Sequence, residues 1–184
     1  MQEIWARLLA GEVKKPGTFS LRTLETLRNM THEEAVAFEK MCAHCIMIVG
    51  SHAILQDEGY LKEFGIPFGM LLKLSECGLI NSSALLSINV RVNREKPLVI
   101  RTDDYVAIAT TNEIKTVDIG MYPLTSSGIE LSKIAGCHME LDEFKAVARK
   151  IEENTNFSLF KIYRIKEIQG ERISYNMAEN LRDE

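Results

Sequence analysis

"LLSINVRV", residues 85–92, is where the chain changes its period. Upstream, apolar residues recur every three or four positions. Here Leu86, Ile88, Val90 and Val92 alternate with Ser87, Asn89 and Arg91, the two-residue repeat of a half-buried strand. "NREKP" (93–97) then turns the chain. "LVIRT" (98–102) and "YVAIATT" (105–111) read as strands flanking Asp103-Asp104, a tight hairpin by spacing. "KTVDIGMY" (115–122) alternates again through Val117, Ile119 and Met121. Three or four antiparallel strands therefore follow helices directly. The expected class is α+β, with a winged-helix-like hairpin sheet in the middle of the chain.

Toward the N-terminus the pattern is helical. Ile4, Trp5, Leu8 and Leu9 share one face of a helix over residues 1–13, and "KKPG" (14–17) is a turn. Ser20 caps a second helix with Leu21, Leu24 and Leu27 inward. Thr31 to Glu34 form a capping box, and Ala35, Phe38, Met41, Cys42 and Cys45 make the inward stripe of the helix that follows. Ile46 to Leu55 fits either a helix tail or a short strand. A further helix is expected over Pro67–Cys77, with Gly78 just past its end.

Toward the C-terminus, "YPLTSSGIELSKIAG" (122–136) carries a complete set of helix signals. Thr125 is the N-cap, and Leu124 with Ile129 forms a hydrophobic staple. Glu130 suits the helix dipole, Leu131 and Ile134 face inward, and Gly136 takes the left-handed position at the end. Ser126 and Ser127 read as surface residues. The stretch is a structural lid, with no nucleophile, base or ligand left over. Another helix follows over Leu141–Glu153, with Phe144, Val147, Ala148 and Ile151 inward. "FSLFKIYRIKEI" (157–168) and "ERISYNM" (171–177) pair about Gln169-Gly170, and "AENLRDE" (178–184) reads as a frayed polar tail.

Two blocks resemble one known family. "QEIWARLLAGEVKKPGTFSLRTLETLRNMTHEEAVAFEKM" (2–41), with its "W-A-x-L-L-A-G-E" and "S-L-R-T-L" runs, and the 122–136 stretch are similar to the signature blocks of an uncharacterised bacterial family, number 2806 among the domains of unknown function. The pattern "L-T-x-x-G-x-E-L" in the second block also occurs in many winged-helix proteins. The resemblance implies a bacterial, cytoplasmic setting and lends no catalytic residues. In its members a further N-terminal region precedes the first block. That matches the uncapped start of the first helix here, and the expectation is the C-terminal part of a longer protein.

Composition sets the remaining bounds. The chain has 184 residues, 46% hydrophobic and 26% charged, which suits one domain over 1–184 with sub-units at 1–56, 57–136 and 137–184. A net charge of -4 argues against nucleic acid as the main partner, since phosphate binding needs concentrated basic surface. No apolar run approaches the roughly 20 residues of a membrane span. Four cysteines without an export signal read as reduced thiols in a cytoplasm.

Few residues ask for a chemical role. Cys42 and Cys45 in "CAHC" are spaced as half of a zinc site, to which Cys77 or Cys137-His138 could add. Against this, both lie on an inward helical stripe, where free cysteine behaves as a small apolar residue. The pair also lies at the C-terminal end of its helix, the wrong pole for a redox thiolate. Adjacent Ser51 and His52 do not form a dyad, and no phosphate-loop, dinucleotide, esterase or zinc-protease motif is present. Asp103 and Asp104 read as turn formers, and no carboxylate pair has a reason to share a pocket. Arg91, Arg94, Lys96 and Arg101 form a basic hairpin that could touch phosphates, or simply protect a sheet edge.

The function expected from sequence is therefore a non-catalytic binding or regulatory module without a cofactor. Its partner is a protein or the N-terminal region of a longer chain, with no membrane contact. Nucleic-acid binding through residues 91–101 is the first alternative, and zinc at Cys42 and Cys45 the second.

Overall fold

The structure is a computed structural model describing residues 6, 10, 11, 13–83, 86–155, 160–170, 172–177 and 179–183. The expected helix over 1–13 lies largely outside the described residues. In order, the chain forms α1 (Leu21–Asn29), α2 (His32–Cys42), β1 (Ile46–Ile48), β2 (Ser51–Leu55), α3 (Glu58–Glu63), α4 (Phe68–Glu76) and β3 (Ser87–Val92). Then come β4 (Leu98–Arg101), β5 (Tyr105–Ala109), β6 (Lys115–Pro123), α5 (Ser126–Ala135), α6 (Leu141–Thr155), β7 (Lys161–Gln169) and β8 (Arg172–Tyr175). A short 3-10 turn, Leu181–Asp183, follows. The α+β class holds.

All the strands join one eight-stranded antiparallel sheet in the order β3-β6-β2-β1-β4-β5-β7-β8. The ambiguous stretch 46–55 is the β1–β2 hairpin, turning through Val49 at φ +48° and Gly50 at φ +77°. Asp103 and Asp104 form the expected two-residue turn, with the Thr102 hydroxyl accepting from the amides of Asp104 and Tyr105.

Residues 91–101, however, are not a hairpin. β3 pairs with the first part of β6 over six positions, from Ser87↔Gly120 to Val92↔Lys115. β4 is taken by β1 and β5 instead. The alternation of β6 is long enough to serve two partners, since its last three residues pair with β2. With β6, β2 and β1 between them, β3 and β4 would lie about 19 Å apart in a flat sheet. The 93–96 turn, closed by the Asn93 amide on the Lys96 carbonyl at 3.0 Å, cannot span that distance. The sheet therefore curls, bringing the end of β3 beside the start of β4. Thr111, just after β5, donates its hydroxyl to the Val92 carbonyl at 3.1 Å across the junction.

One cluster of buried apolar side chains runs from α1 to the 3-10 turn. α6 lies on β5 and β6. Its inward residues Phe144, Val147, Ala148 and Ile151 are all buried, and Phe144 stacks on Tyr105 of β5 with ring centroids 5.8 Å apart. Each such fully buried large side chain contributes about 1.5–3 kcal/mol relative to exposure. α5 packs on α1 and α2, and α2 packs on α4.

The start and stop signals of 122–136 are both used. Thr125 accepts from the Gly128 amide, and Gly136 ends α5 at φ +66°. Three expectations about neighbouring residues fail. Leu21 is 80% exposed, because Thr23 rather than Leu21 turns inward from α1. Glu130 does not act on the dipole of its own helix; it accepts from the Ser20 amide at 2.8 Å and docks the start of α1 against α5. Burial pushes its pKa up, but the bonds from Ser20 and Thr23 outweigh that and hold it below its ordinary value. Ser127 is buried, with no hydrogen-bond partner for its hydroxyl among the described residues.

The expected frayed tail is tied down as well. Leu181 is buried, and the Asn180 side chain accepts from the Ile162 amide at 3.0 Å. Arg182 pairs with Glu152 of α6 through both terminal nitrogens and also donates to the Phe160 carbonyl. A short polar segment gave no periodicity from which to read this. Among the described residues, no helix is long and apolar enough to cross a membrane.

Candidate functional site

A cleft of about 380 Å³ opens where the end of α2, the start of β1, the β4–β5 turn and the end of α5 meet. Its volume falls in the ~300–1,000 Å³ range of small-ligand sites. β1 supplies the middle of its sheet wall. Met47 stands opposite His52 of β2 on one side and opposite Arg101 of β4 on the other. Directly opposed residues in antiparallel strands point to the same face. The three side chains therefore form one row. Ser132 and Lys133 of α5 also line the cleft, with Asp103, Asp104, Cys137, His138 and Met139.

Several of the cysteines and histidines are thus gathered. Cys42, Cys45 and Cys137 all line the cleft, with His52 and His138. Asp103 and Asp104 share it too, so the expectation that no two carboxylates meet in a pocket is also corrected. Cys77 lies elsewhere, near Glu34; burial and that carboxylate push its pKa up to about 11. Cys42 is buried, and its thiol is pushed well above its ordinary pKa, first by burial and then by the neighbouring Cys45 thiol. Cys45 directs its thiol to the Met41 carbonyl at 3.8 Å, and Cys137 donates to the Glu39 carbonyl at 3.1 Å. Among the described residues, no group of three or more His, Cys, Asp or Glu is arranged to hold a metal ion.

The charges in the cleft are unequally engaged. Asp104 is held by His138, Nδ1 to Oδ2 at 3.1 Å. Arg101 is partly buried, and its side chain has neither a hydrogen bond nor an ion pair to any described residue. Burial first, then the charges of Arg101 and Lys133, holds the His52 pKa below its ordinary value of 6.5, against a weaker opposing pull from Asp103. His52 is therefore neutral near pH 7.

A second polar cluster is closed. His44 Nδ1 and the Tyr60 hydroxyl converge on Glu143 Oε1 of α6, the tyrosine at 2.9 Å. Tyr60 is fully buried and His44 nearly so, and Phe64 packs against both rings. Burial and the Glu143 charge push the tyrosine far up from its ordinary pKa. The cluster clamps α3 and α6 to the end of α2.

The four basic residues read as one patch divide. Arg91, Arg94 and Lys96 are exposed about the β3–β4 connection, where Arg94 donates to Asn112 Oδ1 at 2.8 and 3.0 Å. Arg101 is at the far end of β4 and belongs to the cleft. His32 is exposed at the first position of α2, away from both.

Sequence reasoning found Cys42, Cys45 and Arg101 but not their meeting point. It weighed His52 only as a dyad partner of Ser51 and gave Lys133 no role. The one available signal was the short alternation of β1 and β2, which as a hairpin sets His52 against Met47.

The fold and cleft define an α+β protein with a curled antiparallel sheet and an open, mixed-charge pocket at one rim. The chain belongs to the family described as "Protein of unknown function (DUF2806)", which matches residues 1–148, ending midway along α6. No curated protein and no solved structure matches the chain. Membership therefore brings no activity with it.

Proposed function

We propose that this chain is a non-catalytic binding or regulatory module, forming one compact domain of a bacterial cytoplasmic protein, and that a small ligand enters the cleft beside Arg101. The observation that carries this reading is the unpaired, partly buried guanidinium in an open pocket. A partly buried cation without a partner is costly unless something supplies one.

Turnover is disfavoured by the thiols. A nucleophilic cysteine needs a lowered pKa or a base within hydrogen-bond reach. Cys42 is shifted the opposite way, while Cys45 and Cys137 face backbone carbonyls. A protein partner, or an N-terminal region preceding this chain, is what ligand binding regulates.

The test is a small-molecule screen read by thermal shift and by alkylation of individual cysteines. Ligands that raise the melting temperature are expected to slow alkylation of Cys45 and leave that of Cys77 unchanged. Hits that leave Cys45 unprotected contradict the site; chemical conversion of a hit contradicts the non-catalytic reading.

A second reading is favoured by the exposed trio Arg91, Arg94 and Lys96. In it, the winged-helix-like middle of the chain, 57–136, meets nucleic acid through the 93–96 turn. Salt-dependent gel shifts abolished by changing the three residues to glutamate support it, and no binding to DNA or RNA at low salt removes it.

A further inference from the structure

The sheet wall of the cleft holds more positive charge than it neutralises. The register sets His52, Met47 and Arg101 in one row, so the imidazole and guanidinium flank a thioether that offers no charge. Lys133 approaches from α5. Neither the Arg101 nor the Lys133 side chain has a hydrogen bond or ion pair to a described residue. Two of the three acids nearby are committed elsewhere, and the third, Asp103, shares the rim with Arg101. Asp104 is bonded to His138, and Glu130, one turn before Lys133, is bonded to the start of α1. Asp103 is exposed on its turn. The rest of the lining is softer: Met139, Ile168 and the three thiols.

We propose that this row is an oxyanion subsite, taking the phosphate or carboxylate group of a small ligand whose remaining body lies against Met47, Met139 and Ile168. The planar guanidinium of Arg101 can hold two oxygens of such a group at once. Lys133 adds a point charge from α5, and neutral His52 retains one N–H to donate. Burial is the first cause of the downward shift of the imidazole, and Arg101 and Lys133 add to it more than Asp103 takes away. The cleft volume, about 380 Å³, leaves room for a body beyond the anionic group. This inference rests on the reading of the cleft as a ligand site.

The experiment follows the ring Hε1 resonances of the four histidines by NMR while inorganic phosphate, acetate, ribose 5-phosphate or uncharged ribose is added, with ionic strength held constant by sodium chloride. Saturable shifts at His52 and none at His32 are expected for at least one of the anions, with phosphate and acetate separating the two oxyanion types. Arg101→Gln is expected to weaken binding tenfold or more. Lys133→Gln, at an exposed helical position, is expected to weaken it severalfold without loss of fold. Arg94→Gln, on the distant turn, is expected to change nothing. If ribose shifts the His52 resonance and no anion does, or if Arg101→Gln and Lys133→Gln both bind the anion as tightly as the original chain, the oxyanion assignment fails while the ligand site survives. If no probe moves His52, the oxyanion assignment fails, and the screen with cysteine protection then decides the ligand site separately.

Discussion

Gly128 of α5 packs so closely on Leu79 that a Cβ at position 128 would lie 2.1 Å from the Leu79 carbonyl oxygen. That oxygen cannot simply move away, because it accepts the Thr125 amide at 2.9 Å. The glycine in "LTSSG" is therefore set by close approach of two backbones, not by a left-handed φ. Gly128→Ala is expected to destabilise the fold by about 1–3 kcal/mol despite the better helix propensity of alanine. Urea denaturation checks it, and an unchanged midpoint contradicts the packing.

Val49 is the one described non-glycine residue with positive φ, and it is 58% exposed. A β-branched side chain is poorly suited to that conformation. Val49 and Gly50 close the β1–β2 hairpin as a turn in which Asn-Gly is the favoured pair. Val49→Asn is expected to stabilise the protein by about 1 kcal/mol, with a raised melting temperature. A lower melting temperature would show that the valine makes compensating contacts.

That turn also shows why the cleft was hidden in the sequence. Helix ends are legible from local chemistry, so Thr31, Thr125 and Gly136 were readable one residue at a time. The alternation of β3 through β6 was equally direct. Pairing partners are not local: β3 had to choose between the adjacent β4 and the distant β6, and six favourable positions on β6 decided it. Val-Gly is a weak hairpin signal, so β1 and β2 stayed ambiguous and His52 had no neighbours. The cleft draws on α2, β1, β2, the β4–β5 turn and α5 with the loop after it. No motif could announce a site assembled from so many segments.

Glu152 anchors the C-terminal 3-10 turn, accepting from both Arg182 and the Phe160 amide. Burial raises its pKa, but those bonds more than reverse the effect and leave it below 4.5. A carboxylate depressed on folding stabilises above its unfolded pKa, and that contribution is lost as pH falls through the folded value. The stability difference between the original chain and Glu152→Gln is therefore expected to be full at pH 6 and to shrink progressively below about pH 4.5. Denaturation at a series of pH values checks it; a difference that grows toward low pH contradicts the assignment.

Tyr60 donates to Glu143 inside the closed cluster with His44. Tyr60→Phe removes one donor from a mostly buried carboxylate while keeping the ring packed on Phe64. A loss of about 1–3 kcal/mol is expected, without any change in ligand binding at the cleft. Denaturation and a parallel binding assay separate the two effects, and weakened binding would mean that the clusters are coupled.

The central claim is that Arg101 and Lys133 leave uncompensated positive charge facing His52. A pH titration of the His52 ring by NMR, in the original chain and in Arg101→Gln, measures that charge directly. The account predicts a midpoint below 6.5 that rises when Arg101 is replaced. A midpoint at or above the ordinary histidine value, or one indifferent to Arg101, contradicts it.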